Sequence, residues 1–239
     1  SKNVKIYAYG ESDGKGGFFN PNNRAPHVER FFMIWDYLKN TKNDYRFVVM
    51  TDTRDVVFQT NPTEWLERHL LVKSLVCSSE GLLYKDETWN DNNFLETFGP
   101  HFHKIFRDQM IYNVGTIAGF SEEITDFIMM LFHLSINRPI PIVDQAVFNF
   151  MINIHPYSEE VLKTNNTHEW AIQLGVTENA VKNGAGDIGA LIKSDPSKLG
   201  EYYANYKDKQ PTIKGHEVLN PDGNKYCIVH QWDRIPGLK

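Results

Sequence analysis

The chain has 239 residues, enough for one large domain or two small ones, and at 41% hydrophobic and 13% aromatic it can bury a sizeable core. Its formal charge is −5, from 25 basic and 30 acidic residues. No Lys/Arg block stands above that background, which argues against nucleic acid or an anionic membrane surface as the main partner. No apolar run reaches the roughly 18 residues of a spanning helix, and no signal peptide opens the chain. Cys77 and Cys227 lie too far apart for a metal-spaced pair. One disulfide is compatible with them, but two buried thiols in a reducing compartment fit better, so the expected location is cytoplasmic.

Val4 to Gly10 alternates apolar and polar residues and reads as a first strand, followed by a polar, Gly-rich loop through Asn23. From about Pro26 a helix is expected, with Val28, Phe31, Phe32, Trp35 and Leu38 on its apolar face. Phe47 to Met50 is a run of four apolar residues, as in a strand buried on both faces, and it ends in Thr51-Asp52-Thr53-Arg54-Asp55. Ligands of open α/β sheets bind beyond the carboxyl ends of strands, and hard divalent cations take oxygen ligands. Asp52 and Asp55 are therefore candidate metal ligands. The same residues would equally make an Asp-rich turn with Arg54 as a local ion-pair partner.

Thr63 reads as the N-cap of a short helix. Leu75 to Ser79 reads as a second buried strand, leaving Ser78, Ser79 and Glu80 at its carboxyl end. Residues 84 to 108 show weak periodicity, which predicts irregular structure and short helices. Met110 to Gly119 is a strand with Gly115 inside it, a mark of a bulge or of close approach by a ligand. Ser121 caps an amphipathic helix, and Asp144-Gln145 opens another. Strand–helix alternation up to about residue 155 predicts an α/β sandwich, mostly parallel, in a single domain over residues 1–239. Trp170 to Leu174 and Tyr226 to Val229 look like short strands on either side of a stretch of low periodicity.

Gly184-Ala185-Gly186-Asp187-Ile188-Gly189 spells the dinucleotide pattern GxGxxG, but no buried strand precedes it, so it is read as a loop. None of the nine histidines forms an HExxH motif, and His101 and His103 have no evident third ligand. His230 ends the apolar run Tyr226-Cys227-Ile228-Val229. A strand-end imidazole would complete a Mn²⁺ shell begun by Asp52 or Asp55; taken alone, such a histidine also serves as a hydrogen-bonded structural residue.

Taken in order, these segments resemble the retaining glycosyltransferases of the GT-A (nucleotide-diphospho-sugar transferase) fold, the glycogenin-like and lipopolysaccharide-galactosyltransferase-like enzymes. The resemblance runs in short patches from about residue 28 to 234. The group's Asp-x-Asp before an apolar triplet falls on Thr53-Arg54-Asp55 before Val56-Val57-Phe58, so the acidic pair becomes Asp52 and Asp55. Its Asn-x-Gly matches Asn113-Val114-Gly115, its Asp-Gln-x-x-x-Asn matches Asp144 to Asn149, and its C-terminal metal histidine matches His230. The Gly-x-x-Lys-Pro-Trp that usually follows is absent, and Arg234 or Lys239 stands in for its lysine.

The resemblance implies a mostly parallel central sheet flanked by helices. It also implies transfer of a sugar from a nucleotide-sugar donor, UDP favoured and GDP possible, to a glycan, lipid-linked or protein acceptor. Mn²⁺ (or Mg²⁺) would be held by Asp52, Asp55 and His230. Asp144 and Gln145 would lie beside the anomeric carbon and, with Asp55, form the catalytic set. Asn113 and Gly115 would face the donor sugar, with Arg30, Asp52, Thr53 and Arg234 at the nucleotide-sugar. Where the group has two strand–helix units to hold the base, this chain shows one strand. Either Tyr7, Ala8, Tyr9 and the following loop do that work or a further N-terminal segment does. Glu80, Glu87, Trp89 and Asn90 are assigned to the acceptor side from their position after a core strand. Two other classes use related features. A sugar-nucleotide nucleotidyltransferase would bind triphosphate with a loop such as Gly14-Lys15-Gly16-Gly17, and a non-catalytic glycan- or protein-binding domain would keep the fold without turnover.

Overall fold

The computed structural model describes residues 11–12, 18–19, 25–41 and 45–238, and Val4 to Gly10 lies outside them. The Gly-rich segment contains a two-residue hairpin of β1 (Glu11–Ser12) and β2 (Phe18–Phe19). Then come α1 (Pro26–Asn40), β3 (Phe47–Thr51), β4 (Val56–Phe58), α2 (Pro62–His69), β5 (Leu75–Leu83), α3 (Thr88–Phe106) and β6 (Met110–Phe120). The next elements are α4 (Ser121–Ser135), α5 (Asp144–Ile152), α6 (Tyr157–Glu160), β7 (Val161–Thr164), β8 (Ala171–Gln173), α7 (Glu178–Lys182), α8 (Gly186–Ser194) and α9 (Leu199–Asn205). The hairpin of β9 (Thr212–Lys214) and β10 (Glu217–Leu219) precedes β11 (Ile228–His230).

The class is α/β, with a sheet that contains parallel pairing and is flanked by helices. Four strands run in the order β3-β6-β5-β7, and three more in the order β4-β11-β8. Strand direction departs from the expectation. β6 is antiparallel to both β3 and β5, β4 is antiparallel to β11, and only β5–β7 and β8–β11 are parallel. A continuous apolar run marks a strand covered on both faces and says nothing about the direction of its neighbour. On one face α1, α4 and α5 bury Phe31, Ile124, Phe127, Ile128, Leu131 and Val147. On the other, Trp65 of α2 packs on Trp170 with ring centroids 5.1 Å apart. Aromatic burial of this size is the largest apolar contribution a single side chain makes. Both cysteines are buried free thiols.

Several local expectations change. Ser121 is the first residue of α4 rather than its cap, since Phe120 holds the N-cap position and among the described residues no side chain caps the helix. The Gly184–Gly189 stretch expected as a loop is helical from Gly186. Asn61, not Thr63, caps α2: its side chain accepts from Thr63 N at 3.1 Å, and Pro62 takes the first helical position. Residues 88–106 are two short helical pieces, as expected, that meet at Gly99, whose φ of 78° and ψ of 172° are not helical, just before Pro100; what changes is that little of the stretch is irregular. β5 runs on through Glu80 to Leu83 by way of a register shift near Gly81, where the Tyr206 ring occupies the space of a Cβ. Glu80 is thus a buried residue within a strand rather than one beyond its tip. The Gly184–Gly189 segment follows a helix, α7, and itself opens α8, a context without the strand that dinucleotide binding needs. Among the described residues no helix is long and apolar enough to cross a membrane.

Candidate functional site

Two strand ladders bring distant residues to one point. β3 pairs with β6 up to Thr51 opposite Thr116, and Asp52 N donates to the Gly115 carbonyl at 3.2 Å, so the Asp52 side chain stands above β6. β4 pairs with β11, setting Val56 against His230, and Gln231 N donates to the Asp55 carbonyl at 2.7 Å. His230 Nε2 consequently lies 3.2 Å from Asp52 Oδ2 and 3.8 Å from Asp55 Oδ1. One ligand atom from each of the three residues lies within 4.8 Å of the others. Gly115 makes this approach possible. A Cβ there would sit 2.8 Å from Asp52 Oδ2 and 2.9 Å from His230 Cε1.

The imidazole is oriented from behind. β8 runs parallel to β11 with Gln173 beside His230. Gln173 Nε2 donates to Thr116 Oγ1 at 2.7 Å, so its Oε1 is free to accept the His230 Nδ1–H at 2.6 Å. That leaves Nε2 aimed at the carboxylates, the arrangement by which outer hydrogen bonds orient metal-ligating histidines. Two carboxylates and one such nitrogen are a donor set that suits Mn²⁺ or Mg²⁺, with the imidazole favouring Mn²⁺. The hydrogen bond from His230 and the Arg30 charge hold the Asp52 carboxyl well below the usual carboxylate range.

Arg30, on the second turn of α1, ties this cluster to α5. Its Nη1 donates to Asp52 Oδ1 at 2.6 Å and its Nη2 to Asp144 Oδ2 at 2.9 Å. Asp144 is buried, which pushes its carboxyl up against the opposing pull of Arg30. The neighbouring Gln145 donates to Glu80 Oε1 at 3.1 Å and to Asn90 Oδ1 at 2.9 Å. Asn113 Nδ2 also donates to Glu80 Oε1, at 2.7 Å, while its own Oδ1 accepts from Gly115 N at 2.8 Å. Burial raises the Glu80 carboxyl above its ordinary range, and its second oxygen has no partner among the described residues. Asn149, the last residue of the Asp-Gln motif, does different work. It exchanges hydrogen bonds with the Tyr112 backbone at 2.8 and 2.7 Å and so docks α5 on β6.

Arg30, Glu80, Asn113, Asp144, Gln145 and the Asp52–Asp55–His230 cluster line a cleft of about 870 Å³. Every predicted site residue among those described lies on it: Arg30, Asp52, Thr53, Asp55, Asn113, Gly115, Asp144, Gln145, His230 and Arg234. Tyr7, Ala8, Tyr9 and Lys239 lie outside the described residues. The first turns of α1, α3, α5 and α8 reach it through His27, Asn90, Gln145 and Asp187. Helix N-termini carry partial positive charge and unpaired N–H groups, a setting for anions. Against them stand six lining carboxylates (Asp52, Asp55, Glu80, Glu87, Asp144 and Asp187) and three guanidiniums (Arg30, Arg54 and Arg234). That excess of carboxylate is what a bound divalent cation would offset.

Glu87 differs from its acceptor-side assignment in what it does. It caps α3, accepting from Asn90 N at 2.7 Å and Asn90 Nδ2 at 2.8 Å. His103 pairs with Asp91 along α3, at 2.7 Å, and does not line the cleft. Sequence reasoning missed Gln173 and Thr116, which act through His230, and passed over Gly186 and Asp187 with the rejected glycine motif. The alternation around Gln173, a polar residue inside an apolar strand, was the available signal.

No protein-family model matches this chain, and no curated protein matches it in sequence. Among solved structures it is similar to the apo form of mouse xyloside xylosyltransferase 1, with a TM-score of 0.44 and 13% identity over 84% of this chain. The chain spans 62% of the length of that structure.

Proposed function

We propose that the chain is a metal-dependent glycosyltransferase of the GT-A type that moves a sugar from a nucleoside-diphosphate sugar to an acceptor hydroxyl with retention. One observation carries this reading: Asp52, Asp55 and His230 converge in a cleft that also holds Asn113, Asp144 and Gln145. UDP is the favoured donor nucleotide. In the reaction the acceptor O–H forms a new bond to the anomeric carbon as that carbon's bond to the β-phosphate oxygen breaks. The departing diphosphate takes up the proton. Mn²⁺ or Mg²⁺ held by Asp52, Asp55 and His230 would neutralise the charge arriving on the β-phosphate.

The chain's own residues prepare the rest. Arg30 holds Asp52 and Asp144 in fixed relation, so its part is to position carboxylates as well as to add positive charge near the diphosphate. Arg234 adds charge at the cleft mouth. Asn113 and Gln145 both bond Glu80, which sets that carboxylate beside the sugar-side residues, where it opposes the positive charge of an oxocarbenium-like transition state. A thermal-shift screen of UDP- and GDP-sugars, with Mn²⁺ and with EDTA, tests the reading. Stabilisation that needs both nucleotide-sugar and metal is expected, since a ligand of the native state alone raises its stability. Equal melting temperatures in every combination would dispose of the proposal.

A further inference from the structure

Two apolar side chains on the cleft wall are left open by the fold. Trp89 is 43% exposed and Ile142 is 38% exposed. Single exposed apolar residues are ordinary; these two are held in place within a polar cleft. The Glu87 carboxylate accepts from Trp89 N at 3.4 Å and Asn90 N at 2.7 Å, which fixes the first turn of α3. One turn on, Asn93 Nδ2 donates to the Ile142 carbonyl at 2.6 Å, joining the segment before α5 to the same helix. The two side chains therefore share one rim. The Trp89 indole N–H has no partner among the described residues.

The rim is wired to the sugar-side groups. Asn90 follows Trp89 and accepts from Gln145 Nε2 at 2.9 Å, and the same nitrogen reaches Glu80 Oε1 at 3.1 Å. The half-exposed indole thus lines the same cleft as these amides and this carboxylate. A pyranose has matching chemistry, an apolar C–H face that packs on an aromatic ring and a hydroxylated edge for the polar groups. A nucleobase would also stack, but the hydrogen bonds of Asn90 run to Glu87 and Gln145, and among the described residues none runs directly to Asp52, Asp55 or His230.

We propose that Trp89 and Ile142 form an acceptor platform, and that the acceptor is a carbohydrate whose ring lies on the indole with its reacting hydroxyl directed past Asn90 toward the anomeric carbon. This rests on the glycosyltransferase reading above and names its acceptor class.

The test compares wild type, Trp89→Ala and Trp89→Phe, with Mn²⁺, UDP-sugars as donors and a panel of octyl and p-nitrophenyl glycosides, hydroxyl-bearing peptides and lipid alcohols as acceptors. In Trp89→Ala the acceptor KM should rise about 10-fold or more, the scale of losing one stacked ring. In Trp89→Phe it should stay within about 3-fold, and UDP affinity by calorimetry should hold in both variants. Three results would overturn the platform: an unchanged acceptor KM in Trp89→Ala, a matching loss of UDP affinity, or transfer to peptides or lipid alcohols but to no glycoside. If wild type binds no nucleotide-sugar, it is the transferase reading that fails. Saturation-transfer NMR with methyl glycosides then decides the platform alone. A wild-type signal lost in Trp89→Ala supports it, and no wild-type signal ends it.

Discussion

The two walls of the cleft are built on different physical principles. The metal-side wall (Asp52, Asp55, Gly115 and His230) hangs on backbone ladders between β3 and β6 and between β4 and β11. The opposite wall (Trp89, Asn90, Asp144, Gln145 and Asp187) is made of helix first turns, of which those of α3 and α5 are joined by the Gln145 amide. Ladders set distances to within a few tenths of an ångström and tolerate little insertion between strands. First turns leave N–H groups and side chains free to meet a ligand. Under the proposed function, a cation would use the first kind of wall and the sugar substrates the second.

If that contrast holds, damage to the ladder side should be severe and confined to metal-dependent properties. The largest effect is expected from Asp55→Ala, which removes a buried carboxylate between β3 and β4. Mn²⁺ affinity by calorimetry, and with it Mn²⁺-dependent turnover, should fall by more than about 100-fold while far-UV circular dichroism is retained. Gly115→Ala comes next. Its new methyl must displace Asp52 or His230, and a loss of about 10- to 100-fold in Mn²⁺ affinity is expected from the same titration. A variant that bound Mn²⁺ as wild type does would show that the three ligand atoms need no such closeness. Gln173→Ala should cost about 10-fold, since His230 keeps its place on β11 but loses the acceptor that orients its ring.

The amide-linked wall should respond in the opposite sense. Glu80 is buried and its folded-state carboxyl is raised, so the unfolded chain ionises more readily than the native one. Its contribution to stability is present below the ordinary carboxylate range and is lost as pH rises through the raised native value. Glu80→Gln should therefore raise the melting temperature by about 2–5 °C at pH 7, with the gain shrinking toward pH 4. Turnover should fall in the same variant. A residue that lowers stability while serving the site is a common trade. A Glu80→Gln protein that melts lower at pH 7 than wild type would mean the carboxylate is needed by the fold rather than by a ligand.

How much of this was legible beforehand can be judged from single residues. The apolar run before Asp52, the helical stripe Ile124-Phe127-Ile128-Leu131 and the Asp144-Gln145 helix start are local patterns, and local patterns survive in sequence. Over 88–106 the short helices were legible but not their near-continuity, because Gly99 and Pro100 break the helical backbone between the two pieces. The N-cap of α2 was misplaced because Pro62 reads as the end of a loop, whereas its fixed φ opens the helix and leaves Asn61 as the cap. Glu80 was placed past the end of a strand because the polar run Ser78-Ser79-Glu80 resembles a loop, whereas each of these side chains finds at least one tertiary hydrogen-bond partner inside β5.

By itself the sequence determined the class of fold, the strand that ends in two acids and the identity of the side chains able to bind a cation, because periodicity and side-chain chemistry are properties of neighbours along the chain. Only the tertiary structure decided that β6 opposes both its partners, that Gln173 turns His230 toward Asp52 and Asp55, and that Glu80 and Asn90 meet through Gln145. Those relations depend on strand direction, register and the closing of long loops. They arise from packing free energy summed over the whole molecule, which no short stretch of residues carries.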